Sequence, residues 1–177
     1  MRLFLDRVLS PIGPLLVVCD DEGNLRALDF HDYESRLRRL VRLHYGAGGD
    51  TLEAGRAPSP ITDPLDAFFG GELDAIDAIP VRTGGTEFQR RVWEALRHIP
   101  AGTTTSYGAL ARTVGSPTAS RAVGLANGSN PVVIVVPCHR VIGADGSLTG
   151  YGGGVARKAW LLEHERSWAA DAKKELA

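Results

Sequence analysis

Val132-Val133-Ile134-Val135-Val136, followed by Pro137-Cys138-His139-Arg140, is the stretch on which the reading of this chain turns. A run of β-branched residues bounded by Pro predicts a buried strand at 132–136. Pro137 has no N–H to give to a ladder, so the strand should stop there. The Cys138 thiol would then be delivered at the end of a rigid core element, beside the His139 imidazole. Such an element holds a reactive group more accurately than a free loop does. A thiol is mostly protonated at neutral pH, and the thiolate is the nucleophile; a neighbouring imidazole can take the proton. A buried structural cysteine beside a surface histidine would read the same way, so the pair alone leaves its chemistry open.

A chain of 177 residues has room for one large domain or two small ones sharing a core. Its hydrophobic fraction, 44%, is ordinary for a globular protein. No apolar run approaches the length of a membrane span. The N-terminus, Met1-Arg2-Leu3-Phe4-Leu5-Asp6-Arg7, has an early acid and no signal-peptide core. Cys19 and Cys138 are the only cysteines, too few for a disulfide scaffold or a four-ligand zinc site. A reactive thiol needs a reducing compartment, so the cytoplasm is the expected location.

The net charge of −1 conceals an asymmetry. Residues 1–82 carry 9 Arg and 14 Asp/Glu, a balance of −5, whereas residues 83–177 carry 11 Arg/Lys and 7 Asp/Glu, a balance of +4. No acid occurs from Ala95 to Ala144, a stretch that contains the candidate nucleophile. Such a stretch tolerates a polyanion. It holds only four Arg, so strong nonspecific affinity for nucleic acid does not follow.

The N-terminal part reads as β-rich, with strands at 3–8, 15–19 and 25–30 and a hairpin turn over Asp20-Asp21-Glu22-Gly23-Asn24. A helix is predicted near 33–43, where Leu37, Leu40 and Val41 share a face. Residues 46–60 read as a loop, 64–69 as a short helix, and Thr83-Gly84-Gly85-Thr86 as a linker. The second part opens with a helix capped by Thr86, with Phe88, Val92, Trp93 and Leu96 as its apolar face and Pro100-Ala101-Gly102 as its end. Two short helices follow at 107–114 and 117–126, with Gly115 between them, Ser116 as the cap and Pro117 at the first position of the second. That is a helix-turn-helix layout. A Gly-rich loop, 148–154, precedes a last helix at 155–166.

The second helix of the pair carries Ala119, Ala122, Val123, Gly124 and Ala126, with Arg121 as its single charge. Reading base edges in a major groove takes several long polar side chains. Small residues instead allow close approach. A tightly packed core helix has this composition, and so does a helix that enters a narrow groove with Arg121 as its probe. Glu165 and Tyr107 are the candidate partners of Cys138 and His139. A nucleophile, a base and an orienting carboxylate serve acyl transfer or alkyl transfer equally well. A thioester intermediate can be hydrolysed and the enzyme turns over; a thioether cannot, and each molecule acts once.

Four segments carry a resemblance: Thr104-Thr105-Ser106-Tyr107-Gly108-Ala109-Leu110-Ala111, Ser120-Arg121-Ala122-Val123-Gly124, Asn127-Gly128-Ser129-Asn130-Pro131 and Pro137-Cys138-His139-Arg140-Val141-Ile142-Gly143. With Gly150-Tyr151-Gly152-Gly153 and Trp160-Leu161-Leu162-Glu163-His164-Glu165, they resemble the O6-alkylguanine-DNA alkyltransferases, the methylated-DNA–protein-cysteine methyltransferases. The match is dense from about 88 to 165 and looser in 1–82, where Ser10-Pro11-Ile12-Gly13-Pro14-Leu15 is its clearest segment. The resemblance implies an α+β fold. Residues 1–82 would form a small ribonuclease-H-like sheet-and-helix domain, 83–168 a mainly helical domain with the helix-turn-helix, and 169–177 a tail.

It also implies a function. The alkyl group of O6-alkylguanine in DNA, and of O4-alkylthymine, would pass irreversibly to Cys138 in a single turnover after base flipping, with no cofactor and no metal. His139 would be the base, acting through a water, and Glu165 would orient it. Tyr107 would protonate the departing guanine and crowd the phosphate so that the nucleotide rotates out. Arg121 would fill the vacated place in the stack, and Asn130 would tie the helix-turn-helix to the active-site strand. Ser116, Thr118, Ala119, Ser120 and Ala122 would join Arg121 and Tyr107 on the DNA. Val141, Tyr151 and Gly152 would line the base pocket. The implied partner is double-stranded DNA containing alkylated guanine, approached from the minor groove, with no membrane involved. The protein would be a monomer, with cooperative loading on DNA left open.

Two positions depart from some relatives. Gly152 has no side chain where some carry a hydroxyl, and Val133 stands where some carry a proline. Two rival readings remain: a Cys-His-Glu thiol hydrolase, which would turn over, and a helix-turn-helix protein that binds lesions without consuming Cys138.

Overall fold

A computed structural model of the chain describes residues 1–46, 51–148 and 150–176. Residues 47–50 of the expected 46–60 loop, Thr149 of the Gly-rich loop and Ala177 of the expected tail lie outside the described residues. The chain divides into two compact units: Met1–Gly85 with Pro131–Val135, and Thr86–Asn130 with residues 136 onward. Among the described residues no helix is long and apolar enough to cross a membrane.

The first unit is built on β1 (Leu3–Val8), β2 (Leu15–Asp20) and β3 (Leu25–Phe30), an antiparallel meander. The Asp20 carboxylate organises the β2–β3 turn: it accepts from the backbone N–H groups of Glu22 and Asn24 and from Arg26 Nε at 2.6 Å. A short β4 (Glu53–Ala54), inside the segment expected to be loop, pairs parallel with β1 and gives the sheet order β3-β2-β1-β4. All six residues of β2 are buried. Leu16 and Val18 face a cluster with Leu3, Ala27 and, from α1 (Glu34–Tyr45), Leu37 and Val41. Full burial of each such side chain is worth about 1.5–3 kcal/mol. The expected helix at 64–69 starts earlier: α2 spans Ser59–Phe69 and buries Ile61, Leu65 and Phe68. That one-sided stripe outweighs the hydrogen bond that Pro64 forfeits inside the helix.

The Val-rich segment is not a strand. Leu28 donates to Pro131 O at 2.9 Å and Val133 donates to Leu28 O at 3.1 Å, so only Val132 bridges to the sheet. The chain then bends. Val135 N–H donates to Val133 O at 2.8 Å across Ile134, which sits at φ 73°. This is a γ-turn in the left-handed region, a costly conformation for a β-branched residue, on the order of 1–3 kcal/mol. Ile134 is fully buried. Burial, not extension, accounts for its apolar neighbours, and the two look alike in sequence.

The second unit begins with α3 (Glu87–Arg97), entered through a reciprocal cap between Thr86 and Gln89. The helix pair is α4 (Tyr107–Thr113) and α5 (Ser120–Gly128). The second helix starts three residues later than the sequence predicts. Gly115, at φ 78°, donates to Arg112 O, and Ser116 donates to Ala111 O, so Ser116 closes α4 instead of capping α5. β5 (Thr105–Ser106) and β6 (Val141–Ile142) pair parallel. The last helix, α6, runs from Val155 to Leu176, ten residues past its expected end at Arg166 (176 − 166), so residues 169–176 are helical and not a tail. The extension has support: Gly102 lies so close that a Cβ there would come within 2.7 Å of Ala169 Cβ.

Gly102 and Gly23 both sit at φ +84°, but nothing lies within 4 Å of a Cβ on Gly23. Gly23→Ala should cost only the backbone strain, about 1 kcal/mol. Gly102→Ala should cost clearly more, and adding Ala169→Gly should recover the difference. Urea unfolding of the variants checks this; equal losses for the two single variants would contradict it.

Candidate active site

Cys138, His139 and Arg140 form one turn of 3-10 helix, entered through a second tight turn. Pro137 lies at φ −82° and ψ 65°, and Cys138 N–H donates to Val136 O at 2.8 Å, an inverse γ-turn. Two buried asparagines brace this backbone. Asn130 Nδ2 donates to Val136 O at 2.7 Å, and Asn127 Nδ2 donates to Cys138 O at 3.4 Å. Asn130 therefore holds a turn and not the strand expected for it. Side-chain amides supply here what a sheet ladder would supply elsewhere.

The cysteine is buried, at 4% exposure, and His139 and Glu165 have none. His139 Nε2 lies 2.6 Å from Glu165 Oε1. Arg140 meets the same carboxylate side-on, Nε to Oε2 at 2.9 Å and Nη2 to Oε1 at 2.9 Å, and its Nη1 donates to Ile99 O at 2.6 Å. Burial alone would raise the Glu165 pKa, but His139 and Arg140 outweigh it and hold the value at about 2, so the group is a carboxylate. Burial pushes His139 below its ordinary value, with the pull of Glu165 opposing, so the imidazole is neutral. An ionised carboxylate can only accept. The ring proton therefore sits on Nε2, and Nδ1 carries the free lone pair. Nδ1 is buried with no protein partner.

Tyr107 is the first residue of α4, behind the N-cap Ser106. Its ring packs on the small-residue face of α5, where a Cβ on Gly124 would meet Tyr107 Cδ1 at 3.8 Å. Burial, and then the nearby Cys138 charge, raise its pKa, so the phenol keeps its proton at neutral pH. Arg121, Thr118, Ser120 and Ala122 are exposed, and Ser116 and Ala119 are half-buried. Tyr151 is buried and Gly152 half-buried. The carbonyl of Val141 accepts from Lys158 Nζ at 2.6 Å. Among the described residues no group of three or more His, Cys, Asp or Glu is placed to hold a metal ion.

Sequence reasoning missed three residues. Arg140 stood in the quoted motif without a role. Asn127, on α5, lies three residues before Asn130, which follows the end of that helix. Lys158 is fully buried on α6, and a lone Lys among surface-type residues gave no signal.

The depressed Glu165 value sets a pH dependence. Its carboxylate contributes stability that is fully present above the ordinary value of 4.5 and is lost as pH falls toward about 2. A shift of that size is worth on the order of 3 kcal/mol. Glu165→Gln leaves the Arg140 cation buried without a counter-charge and should cost about 3–5 kcal/mol at neutral pH. The gap between wild type and variant should close on acidification. Urea unfolding at several pH values measures it, and a gap that stays constant down to pH 2 would contradict the assignment.

Two sequence models of one family match the chain. The ribonuclease-like domain of 6-O-methylguanine DNA methyltransferase covers residues 8–83, and the DNA binding domain of the same family covers residues 87–167. The methylated-DNA–protein-cysteine methyltransferase of Shigella flexneri is 50% identical over 165 residues, 93% of this chain and 96% of that protein. The protein of that name from Mycolicibacterium paratuberculosis is 59% identical over 159 residues, 89% of this chain and 88% of that protein. A crystal structure of the Mycobacterium tuberculosis O6-methylguanine methyltransferase is 44% identical, covers 93% of each chain and superposes with a TM-score of 0.76. The Mycobacterium tuberculosis protein in complex with DNA gives 43% identity and a TM-score of 0.78 over 95% of this chain and 94% of that one. Matched in both parts and along nearly its whole length, the chain belongs to the 6-O-methylguanine DNA methyltransferase family, the methylated-DNA–protein-cysteine methyltransferases.

Proposed function

We propose that this protein repairs DNA by moving the alkyl group of O6-alkylguanine, and of O4-alkylthymine, onto Cys138, once per molecule. The observation that carries the reading is the 2.6 Å contact between His139 Nε2 and an ionised Glu165, one residue from a buried cysteine. His139 Nδ1 takes the thiol proton through a water. The thiolate sulfur attacks the alkyl carbon, the carbon–O6 bond breaks, and its electron pair stays on the base. Tyr107 gives the departing guanine a proton, and the proton held by His139 restores the phenol through solvent. The net change is one thioether formed, one carbon–oxygen bond broken and one proton moved from thiol to guanine. Proton donation to a leaving group is ordinary general-acid catalysis. No cofactor enters this balance.

The target carbon lies inside the duplex, so the nucleotide must leave the stack. We assign the approach to α5, from the minor groove, with Arg121 inserted where the base was and Ser116, Thr118, Ala119, Ser120 and Ala122 along the backbone. Tyr107 crowds the phosphate of the rotating nucleotide. Tyr151, Gly152 and the Val141 backbone form the base pocket, and Asn130 is a structural link. The protein acts as a monomer in the cytoplasm.

Cys138→Ser has nearly the same volume and a far weaker nucleophile. Mixed with O6-methylguanine duplex, the wild type should gain one methyl mass on Cys138, while the variant binds and gains none. Mass on Cys19, or several lesions repaired per molecule, would reject the reading. Arg121→Ala should slow repair of duplex DNA at least tenfold and leave reaction with free O6-benzylguanine within about twofold, since unstacking costs a few kcal/mol. Equal losses in the two rate measurements would place Arg121 in folding or chemistry.

A further inference from the structure

Arg140 is 3% exposed, and each of its three side-chain nitrogens has an acceptor: Nε and Nη2 on the Glu165 carboxylate, Nη1 on Ile99 O. The shared atom is Glu165 Oε1. It accepts from Arg140 Nη2 at 2.9 Å and from His139 Nε2 at 2.6 Å. A buried carboxylate facing an imidazole alone would draw a second proton onto the ring and hold an imidazolium–carboxylate pair. An imidazolium cannot accept a proton from a thiol. A permanent cation on the same carboxylate removes that pull while leaving an oxygen to orient the ring.

We propose that Arg140 is a positioning residue for the transfer reaction: by engaging Glu165 side-on, it lets the carboxylate orient His139 without charging it, and so keeps Nδ1 available as the base. This rests on the assignment of Cys138 as the alkyl acceptor. The charged groups that act on the imidazole are Glu165 and Lys158 from α6 and Arg140 from its own turn. Lys158 works in the same direction as Arg140, against protonation. Arg140 differs in touching the carboxylate itself, and its planar fork fixes the carboxylate plane as an ammonium cannot.

The test is the pH dependence of the single-turnover rate with free O6-benzylguanine, a probe that needs no DNA binding. In Arg140→Gln the acid limb should move to higher pH by about one unit or more, a loss of about tenfold on the acid side. Arg140→Lys keeps the charge and loses the fork. It should react more slowly than wild type, with its acid limb within a few tenths of a unit of the wild-type one. If Arg140→Gln slows the reaction without moving the limb, the residue is structural only and the proposal fails. A 15N NMR titration of His139 in the wild type needs no variant and stands if Arg140→Gln does not fold. The ring should remain a neutral Nε2–H tautomer at and below pH 6.5, and an imidazolium at neutral pH would overturn the proposal. The titration also separates the two readings. An uncharged His139 in a protein whose Cys138 never takes up alkyl would sink the proposed function and leave the electrostatic role standing.

Discussion

A carboxylate with no exposed surface must be surrounded by donors, and Glu165 is such a carboxylate. Leaving a charge of this kind unpaired would cost several kcal/mol. Its donors come from two consecutive residues, His139 and Arg140, in one turn of 3-10 helix. That turn must therefore stay in register with α6, and much of the C-terminal unit serves the register. Asn130 and Asn127 fix the backbone on either side of Cys138. Lys158, two turns before Glu165 on α6, holds the carbonyl that follows the turn. Arg140 reaches on to Ile99 O, just beyond α3. Each contact is a hydrogen bond made inside the protein, where an unmade one is expensive.

The same constraint produces the chemistry. An ionised Glu165 fixes the proton of His139 on Nε2, which leaves the lone pair on Nδ1. Burial keeps the imidazole neutral and the Tyr107 phenol protonated, so one group can take a proton and another can give one under the same conditions. In the proposed reaction these are the acid and the base, and their environments push the two proton affinities apart.

The sequence made the β1–β2–β3 meander and the capped α3 legible because each rests on local signals: an Asp-rich turn between apolar runs, a Thr N-cap and a one-sided apolar stripe. The Val-rich run was not, because burial and extension share one composition; what makes 132–136 bend is a γ-turn at Ile134, and nothing in a β-branched residue announces positive φ. The start of α5 was misjudged because Ser116 can cap one helix or close another, and the geometry of Gly115 decides which. Past Arg166, α6 runs close to Gly102, which is far from Ala169 in sequence. Among site residues, Cys138, His139, Glu165, Tyr107, Arg121 and Asn130 came from motif and resemblance together. Arg140, Asn127 and Lys158 act through atoms that sequence does not bring together, namely a shared carboxylate oxygen and two backbone carbonyls.

The central claim is a distribution of protons: none on Glu165, one on His139 Nε2, none on His139 Nδ1. Neutron diffraction from a deuterium-exchanged crystal at neutral pH reads those positions directly. The account predicts deuterium density on Nε2 pointing at Glu165 Oε1, and none on Nδ1 or on either carboxylate oxygen. Density on both ring nitrogens would contradict it, because the proposed base would then have no lone pair, and density on Glu165 would contradict it, because the carboxylate that fixes the tautomer would be neutral.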